Sequence, residues 1–374
     1  MRDPISDKMQ EGVEEGAFPG GVLLVWYQGQ IIHHAAYGHA CLIPRPEPAS
    51  CETVYDLASL TKPLTGVSAA VVLAADGRIV LDDRLERYIP ELRKELSQST
   101  LRHLLNHATG LPAWRPFYER IAPDGGRLRE KTLEERRRAL YNAIHHEPLL
   151  EPVGARSVYS DLGFILLGEM LERVTGKDWA ALCHGEVFQR LGLEGLFYMS
   201  ETGPTGGTSL RHRIFAATEQ DEWRGHLLRG EVHDEHAAIL GGVSCHAGLF
   251  GTAKAVLTAS QVWLSAVRGD VSPLPRKWAR EFVHRQKFAP GSSWALGWDT
   301  PSTGPAGEPS SSGQFFSASS FGHLGFSGTS VWMDPERNLI VVLLTNRVHP
   351  TRKNNLIRQF RPGLHDTVVK TLMG

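Results

Sequence analysis

Several features that mark large protein classes are missing from this sequence. Its 374 residues include only four cysteines, none in a Cys-x-x-Cys pair, so neither a zinc ribbon nor a disulfide framework is indicated. The formal net charge is −1, which leaves no surplus of Lys and Arg for a phosphate backbone or an anionic membrane surface. No segment is predicted to span a membrane, and phosphate-cradling glycine motifs are absent. We therefore expect a small-molecule substrate and no nucleic-acid or membrane partner; the sequence does not fix the oligomeric state.

The N-terminal segment lacks the pattern of a secretory leader. Five acidic side chains fall within the first twenty residues, and the first apolar run, residues 21–26, is short and late for a signal peptide. We expect a cytoplasmic location if Met1 is the natural start, although a chain trimmed of a leader would look the same.

Hydrophobic periodicity predicts an α+β fold. Residues 21–38 alternate like a β-hairpin, and residues 322–326, 329–333 and 339–345 resemble three further strands. Between these ends the pattern is helical, over residues 64–75, 101–107, 133–145, 161–175 and 179–191. An antiparallel sheet flanked by helices, with an inserted helical subdomain, would explain this order.

The same pattern suggests a division of the chain. Residues 1–75 and 245–374 are predicted to form a discontinuous sheet domain, and residues 76–244 a mainly helical subdomain. The seam between two such parts is a natural place for a ligand cleft. Residues 301–320 are rich in Ser, Gly and Pro, and we expect a mobile loop there, over the cleft.

One segment combines a nucleophile with a cation at helical spacing. Ser59 and Lys62 are three residues apart at the start of an apolar run, so both would face the same side of a first helical turn. A desolvated lysine can help to remove the proton of a serine hydroxyl. Taken alone, the pattern is common, and Ser59 capping a helix with Lys62 in solvent explains it as well.

Two later segments supply further polar groups. Tyr159, Ser160 and Asp161 precede a predicted helix, where the tyrosine could shuttle a proton and Asp161 could cap the helix as well as serve the site. His323 and Gly325 lie on a predicted strand, where the glycine would allow a ligand to approach the backbone.

These three segments, in this order, resemble the motifs of the penicillin-recognising serine hydrolases. The family patterns are S-x-x-K, Y-x-N or Y-S-D, and K/H-x-G. The stretch 104–112, with sequence LLNHATGLP, and the stretch 232–237, with sequence VHDEHA, are also similar to family segments. The resemblance extends from about Phe18 to Asn346 and is to the branch of class C β-lactamases, carboxylesterases, D-aminopeptidases and DD-carboxypeptidases.

The resemblance implies a β-lactamase/transpeptidase-like fold and roles for individual residues. Ser59 would be the acylated nucleophile, and Lys62 and Tyr159 would manage its proton. The backbone N–H groups of Ser59 and Phe326 would form the oxyanion hole. Asp161, His323 and Gly325 would contact the substrate, and no cofactor would be needed.

Two positions depart from the common pattern. Asp161 stands where β-lactamases and DD-peptidases often have Asn, and its charge would keep Lys62 protonated and favour Tyr159 as the base. His323 stands where they often have Lys, and an imidazole is a weaker anchor for a substrate carboxylate. Strong β-lactamase activity is therefore not expected.

We accordingly predict a serine hydrolase that acts on a small ester or a D-amino-acid amide or peptide, with weak β-lactamase activity at most. The first alternative is an inactive penicillin-binding-like module that holds a peptidoglycan-type or peptide ligand. The second is metal-dependent hydrolysis through the histidine-rich segments 33–34, 145–147 and 233–236. None of these segments has the H-E-x-x-H spacing of a zinc helix, so no metal site is predicted.

Overall fold

Strands from the two ends of the chain form one antiparallel sheet in the computed structural model, which describes residues 3–302 and 310–374. In spatial order this sheet contains β10 (Phe321–Leu324), β11 (Ser330–Asp334), β12 (Leu339–Thr345), β1 (Gly20–Tyr27), β2 (Gln30–Cys41) and the short β3 (Glu47–Pro48). The predicted hairpin is β1 and β2, and the three predicted C-terminal strands are β10 to β12.

The central strands are apolar throughout because both faces of the sheet are covered. All seven residues of β12 are buried. Leu23 and Leu343, which are paired across β1 and β12, belong to the core beneath the outer helices α1 (Pro4–Glu14) and α12 (Ile357–Met373). Their neighbours along both strands belong to the main core on the other face. Continuous apolar runs of this kind are typical of strands between two layers.

The remaining elements form the helical layers and two small sheets. The helices are α2 (Ser68–Ala75), α3 (Lys94–Ser97), α4 (Leu101–Leu105), α5 (Phe117–Ile121), α6 (Leu133–His145), α7 (Asp161–Thr175), α8 (Trp179–Leu182), α9 (Glu235–Ile239), α10 (Ala253–Arg268) and α11 (Arg276–Val283). The small sheets are β4 (Tyr55–Asp56) with β9 (Leu249–Gly251), β5 (Phe197–Ser200) and β6 (Gly203–Pro204), and β7 (Ala217–Asp221) with β8 (His226–Arg229). The α+β prediction is confirmed, while the domain boundaries stay a prediction.

Two predicted helices contain π-helical turns. The segment Lys62–Val67 is π-helical before α2 begins, and Cys183–Gln189 is π-helical after α8 ends. Hydrophobic periodicity does not separate a π turn from an α turn, so the sequence predicted continuous helices. π turns occur often at functional sites, and the first of these contains Lys62.

The N-cap of helix α7 is Ser160, one residue before the predicted Asp161. The hydroxyl of Ser160 accepts a hydrogen bond from the backbone N–H of Gly163 at 3.2 Å, so Ser160 is the N-cap. The prediction of Asp161 as the cap was wrong, because Asp161 is the first helical residue. Its carboxylate is therefore available for other contacts.

By length and hydropathy alone, the segment Ala58–Ala75 could cross a membrane, which the sequence analysis did not anticipate. However, 89% of it is buried inside the protein. A core helix surrounded by other elements has the same composition as a membrane helix, and this segment fills the main core.

The described part of the loop predicted at residues 301–320 packs on the outer layer. Phe316 is buried against Trp332, and the backbone N–H of Gln314 donates to Asp366 of α12 at 2.6 Å. Residues 310–320 therefore lie against α12 and β11 rather than over the cleft. Residues 303–309 lie outside the described part of the chain.

The packing of the central strand yields a stability prediction. Leu343→Ala should lower the free energy of unfolding by about 2–5 kcal/mol, because it removes buried methyl groups and leaves a cavity. The matched control is Leu150→Ala, at a position that is 58% exposed, with an expected change within about 0.5 kcal/mol. Denaturant unfolding of both variants measures the difference, and equal losses would contradict the two-sided burial of β12.

Candidate active site

The segment that carries Ser59 is a tight turn held from inside the protein. Ser59 lies in the 3-10 turn Ala58–Leu60, and Ala58 has a left-handed φ of 47°. The carboxylate of the buried Asp56 accepts hydrogen bonds from the backbone N–H groups of Ala58 at 2.8 Å and His233 at 2.7 Å. Burial raises the pKa of this carboxyl group. Motif spacing predicted an α-helical turn at Ser59 and did not indicate Asp56, because tertiary contacts determine both features.

Lys62 is the buried cation at the centre of the site. Its side chain is fully buried, and Nζ donates to Ser59 Oγ and to the carbonyl oxygen of His246, both at 3.0 Å. The third contact is an ion pair of 2.6 Å with Asp161 Oδ1. This geometry excludes the alternative in which Lys62 points to solvent.

The charge of Lys62 is stabilised by its partners. Burial disfavours the ammonium form, but Asp161 and Tyr159 outweigh this effect and raise the pKa of Lys62 above that of an ordinary lysine. The expectation that Asp161 would keep Lys62 protonated agrees with this shift. In the resting site Lys62 is therefore a hydrogen-bond donor and not a base.

Tyr159 lies on the other side of the serine hydroxyl. Its OH donates to Ser59 Oγ at 2.7 Å, and Lys62 Nζ is 4.9 Å from the centre of its ring. Burial raises the pKa of Tyr159 to about 12, although the charge of Lys62 opposes the shift. The resting phenol is thus protonated, and a rise in pH is needed to produce the phenolate.

The turn after β10 is tied to the turn of the nucleophile. Thr329 Oγ1 donates to the carbonyl oxygen of Leu57 at 3.0 Å, and Ser327 Oγ donates to that of Asp56 at 2.8 Å. A Cβ atom at Gly325 would collide with Thr329 Oγ1 and lie 2.6 Å from the Leu57 oxygen. The sequence predicted that Gly325 leaves room for a ligand. The structure shows that a glycine is also needed here because the backbone of Leu57 and the side chain of Thr329 pack against it.

His323 is a neutral hydrogen-bond acceptor. Its Nδ1 donates to the carbonyl oxygen of Leu324 at 2.8 Å, so Nε2 carries the lone pair. Nε2 is buried and has no hydrogen-bond partner within the described residues. Burial and the charge of Lys62 lower the pKa of His323 to about 3. An imidazole in this state does not anchor a carboxylate through charge.

These residues surround a cavity of about 670 Å³. The predicted site residues that line it are Ser59, Tyr159, Asp161, His323, Gly325 and Phe326. Lys62 does not line the cavity itself; its Nζ contacts Ser59 and Asp161, which do. Trp114 and Trp294 supply aromatic walls, and the cavity is large enough for a small peptide or a drug-sized ligand.

Arginines at one end of this cavity were not found from the sequence. Arg347 donates to the carbonyl oxygen of Phe326 at 2.8 Å, and Arg361 donates to those of Gly325 at 3.3 Å and Thr329 at 3.0 Å. Both guanidinium groups are buried, and neither lies within ion-pair distance of a carboxylate oxygen among the described residues, although the charge of Glu219 acts on Arg347 to raise its pKa against the effect of burial. Burial and neighbouring arginine charges lower the pKa of Arg361 to about 9. Their position gives this end of the cavity an excess of positive charge.

The acidic and histidine-rich segment 233–236 also lines the cavity, and the ring of His233 stacks on that of Phe326 at 5.7 Å. Glu235 pairs with Arg352 at 2.8 Å, and His233 pairs with Glu219 at 2.9 Å. Asp234 caps α9 and contacts His246 Nε2 at 2.8 Å. Glu235 is the first residue of the short helix α9.

Comparisons with known proteins agree with this arrangement. The chain is 31% identical over 401 positions to the N-acetylmuramyl-L-alanine amidase of Bacillus subtilis (strain 168), with coverage of 98% of this chain and 87% of that protein. It is 30% identical to an Escherichia coli (strain K12) protein provisionally named D-alanyl-D-alanine carboxypeptidase, with coverage of 89% and 79%. The structure of EstCE1, a hydrolase with promiscuous acyltransferase activity, superposes with a TM-score of 0.73 at 23% identity and coverage of 98% and 97%.

The antiparallel sheet, the helical layers and the serine between them define a β-lactamase/transpeptidase-like fold. The profile of the Beta-lactamase family matches residues 5–361, and the chain belongs to this family. The predicted family and fold class are confirmed, and so is the prediction of an enzyme of the serine-hydrolase type.

The ion pair of Lys62 yields a prediction for pH dependence. Asp161 raises the pKa of both Lys62 and Tyr159, so Asp161→Asn should lower both. The rise of kcat/KM with pH should then occur about one to three pH units lower than in the wild type. The measurement is a pH profile with a chromogenic ester.

The matched control is Asp270→Asn, a change at an exposed carboxylate that pairs with Arg268. Its pH profile should coincide with that of the wild type. If folded Asp161→Asn protein has the same pH profile as the wild type, the ion pair between Lys62 and Asp161 does not set the pKa of the group that limits activity.

Proposed function

We propose that the protein cleaves an amide bond in a small peptide that bears a free carboxylate, through an acyl-enzyme on Ser59. The observation that carries the proposal is the position of Ser59 Oγ, 3.0 Å from Lys62 Nζ and 2.7 Å from the OH of Tyr159, on the wall of a cavity. A hydroxyl between an ammonium and a phenol has both a charge stabiliser and a proton acceptor within reach.

The proton route follows from the pKa shifts. Tyr159 in its phenolate form takes the proton of Ser59 as Oγ attacks the carbonyl carbon of the substrate. Lys62 stays charged and stabilises the phenolate and the developing alkoxide. Tyr159 then gives the proton to the departing amine as the C–N bond breaks. A water molecule repeats the sequence on the ester to Ser59 and releases the acid.

The backbone N–H groups of Ser59 and Phe326 are the proposed oxyanion hole. The hydrogen bonds from Thr329 to Leu57 and from Ser327 to Asp56 fix the spacing of the two turns that carry these groups. Donors fixed before the reaction stabilise the tetrahedral oxyanion without a cost of reorganisation.

The charges of the cavity favour a carboxylate-bearing peptide over a neutral ester. Arg347 and Arg361 are buried beside Phe326 and donate to carbonyl oxygens, and Arg358 adds an exposed guanidinium. Buried cations without a counter-ion attract an anion strongly. His323 is neutral, so these arginines are the proposed carboxylate partners. The names of the Bacillus subtilis and Escherichia coli relatives, an amidase and a carboxypeptidase, support an amide substrate.

A test of the nucleophile distinguishes catalysis from simple binding. Wild-type protein exposed to a fluorophosphonate should gain one adduct by intact-protein mass spectrometry, and Ser59→Ala should gain none. Tyr159→Phe should react roughly 100-fold or more slowly, because general base catalysis is lost.

The control is Ser6→Ala, a change at a half-buried hydroxyl that does not line the cavity, which should label like the wild type. Benzylpenicillin, applied separately, reports deacylation through the lifetime of its adduct. Folded wild-type protein that forms no adduct with either reagent would favour the alternative of an inactive module that only holds a peptide ligand.

A second test concerns the substrate carboxylate. Arg361→Lys should reduce kcat/KM for a D-alanyl peptide with a free C-terminus roughly tenfold or more. An ammonium group cannot reproduce the paired hydrogen bonds that a planar guanidinium donates to a carboxylate. Kinetics on the same peptide as a C-terminal amide should fall less, because the amide loses only the support that Arg361 gives to the turn of Gly325 and Thr329. Arg358→Gln gives a smaller loss of the same selectivity, and Arg211→Gln, at an exposed position, serves as the control. Equal effects on the acid and the amide would refute carboxylate recognition by these arginines.

A further inference from the structure

Three side chains beside the active site converge in a way that the proposed chemistry does not use. Asp234 precedes α9, His236 lies in its first turn, and His246 lies in the loop before β9. One ligand-type atom from each lies within 4.8 Å of the other two. Because Asp234 and His246 already approach to 2.8 Å, the longer distances are those to His236.

The imidazole of His236 has no satisfactory partner in the described chain. The residue is fully buried, and neither ring nitrogen makes a hydrogen bond of normal geometry within residues 3–302 and 310–374, although the backbone of Arg115 is near. Its ring packs among aromatic side chains, including Trp114 and Phe117. A buried polar atom without a partner is costly, so such a group points to an unassigned ligand.

The orientation of His246 fits a metal ligand. Its Nε2 faces Asp234, and its Nδ1 contacts Ser244 Oγ at 2.7 Å. A hydrogen bond from Nδ1–H to the serine oxygen would leave the lone pair on Nε2, directed toward the cluster. Metal-bound histidines commonly have their second nitrogen fixed by such an outer contact.

We propose that Asp234, His236 and His246 bind one divalent transition-metal ion, with zinc as the preferred ion. Two imidazoles and one carboxylate are the ligand set of many zinc and cobalt sites. Ligand atoms around tetrahedral zinc are about 3.3 Å apart, as follows from bonds of about 2.0–2.1 Å. Binding therefore requires His236 to move inward and Asp234 and His246 to separate slightly.

The ion has a positioning role at the active site. The backbone carbonyl of His246 accepts the hydrogen bond from Lys62 Nζ at 3.0 Å, so a ligand that fixes His246 also fixes one of the three partners of Lys62. The metal connects the start of α9 to the loop before β9 and takes no part in the acyl transfer. The inference is thus independent of the proposed nucleophile, and it differs from the sequence-based prediction of no metal site.

The test measures metal binding directly. Full-length protein is treated with a chelator, dialysed, and titrated with Zn²⁺ or Co²⁺. We expect one ion per chain, with a micromolar or tighter Kd, a visible ligand-field spectrum for Co²⁺, and a higher melting temperature with Zn²⁺. His236→Asn and His246→Gln should each abolish the stoichiometric binding and the cobalt spectrum.

Controls separate this proposal from the proposed function. His226→Gln changes an exposed histidine that also pairs with a carboxylate, Glu231, and should bind the ion like the wild type. Ser59→Ala should bind it equally well. Circular dichroism of the metal-free variants verifies that they fold. The proposal is overturned if folded wild-type protein binds no stoichiometric ion, or if both histidine variants keep the site. Either result leaves the labelling of Ser59 as a separate question.

Discussion

The ion pair between Lys62 and Asp161 is the interaction around which the active site is arranged. An ammonium group buried in an apolar core is costly unless each of its protons meets an acceptor. Here the acceptors come from three distant segments: the turn of Ser59, the start of α7, and the loop that contains His246. Satisfying one charge therefore holds together the parts of the chain that make the cavity.

The same charge determines the protonation of its neighbours. Burial and the Lys62 ammonium hold the pKa values of His107 and His323 below that of an ordinary histidine, so both of these rings, which contact Tyr159, are neutral. Asp161 acts in the opposite direction on Lys62 and Tyr159. The resting site thus contains an ammonium and a phenol, and the first step of the proposed mechanism depends on the loss of one proton from the phenol.

Local patterns predicted those elements whose structure depends on nearby residues. Helices α6 and α7 begin and end at the predicted residues because their amphipathic periodicity is long and unbroken. Motif spacing likewise identified Ser59, Lys62 and Tyr159, which the structure brings together. Periodicity and motif spacing do not reveal contacts between distant segments of the chain. Such contacts place Asp56 under the nucleophile, Arg347 and Arg361 at the cavity, and His246 beside Asp234. The choice of Ser160 over Asp161 as the cap was also undecidable, since both types cap helices well.

The position of the arginines connects substrate charge to the oxyanion hole. Arg361 donates to the carbonyl oxygens of Gly325 and Thr329, and Arg347 to that of Phe326, so both guanidinium groups support the turn that presents the Phe326 N–H. An anion that binds these groups would also stiffen this turn. Carboxylate recognition and oxyanion stabilisation would then share one structural element, and a substrate without the carboxylate would meet a less ordered oxyanion hole. Under the proposed function, this coupling would allow a chain with a neutral His323 in the third motif to prefer anionic substrates.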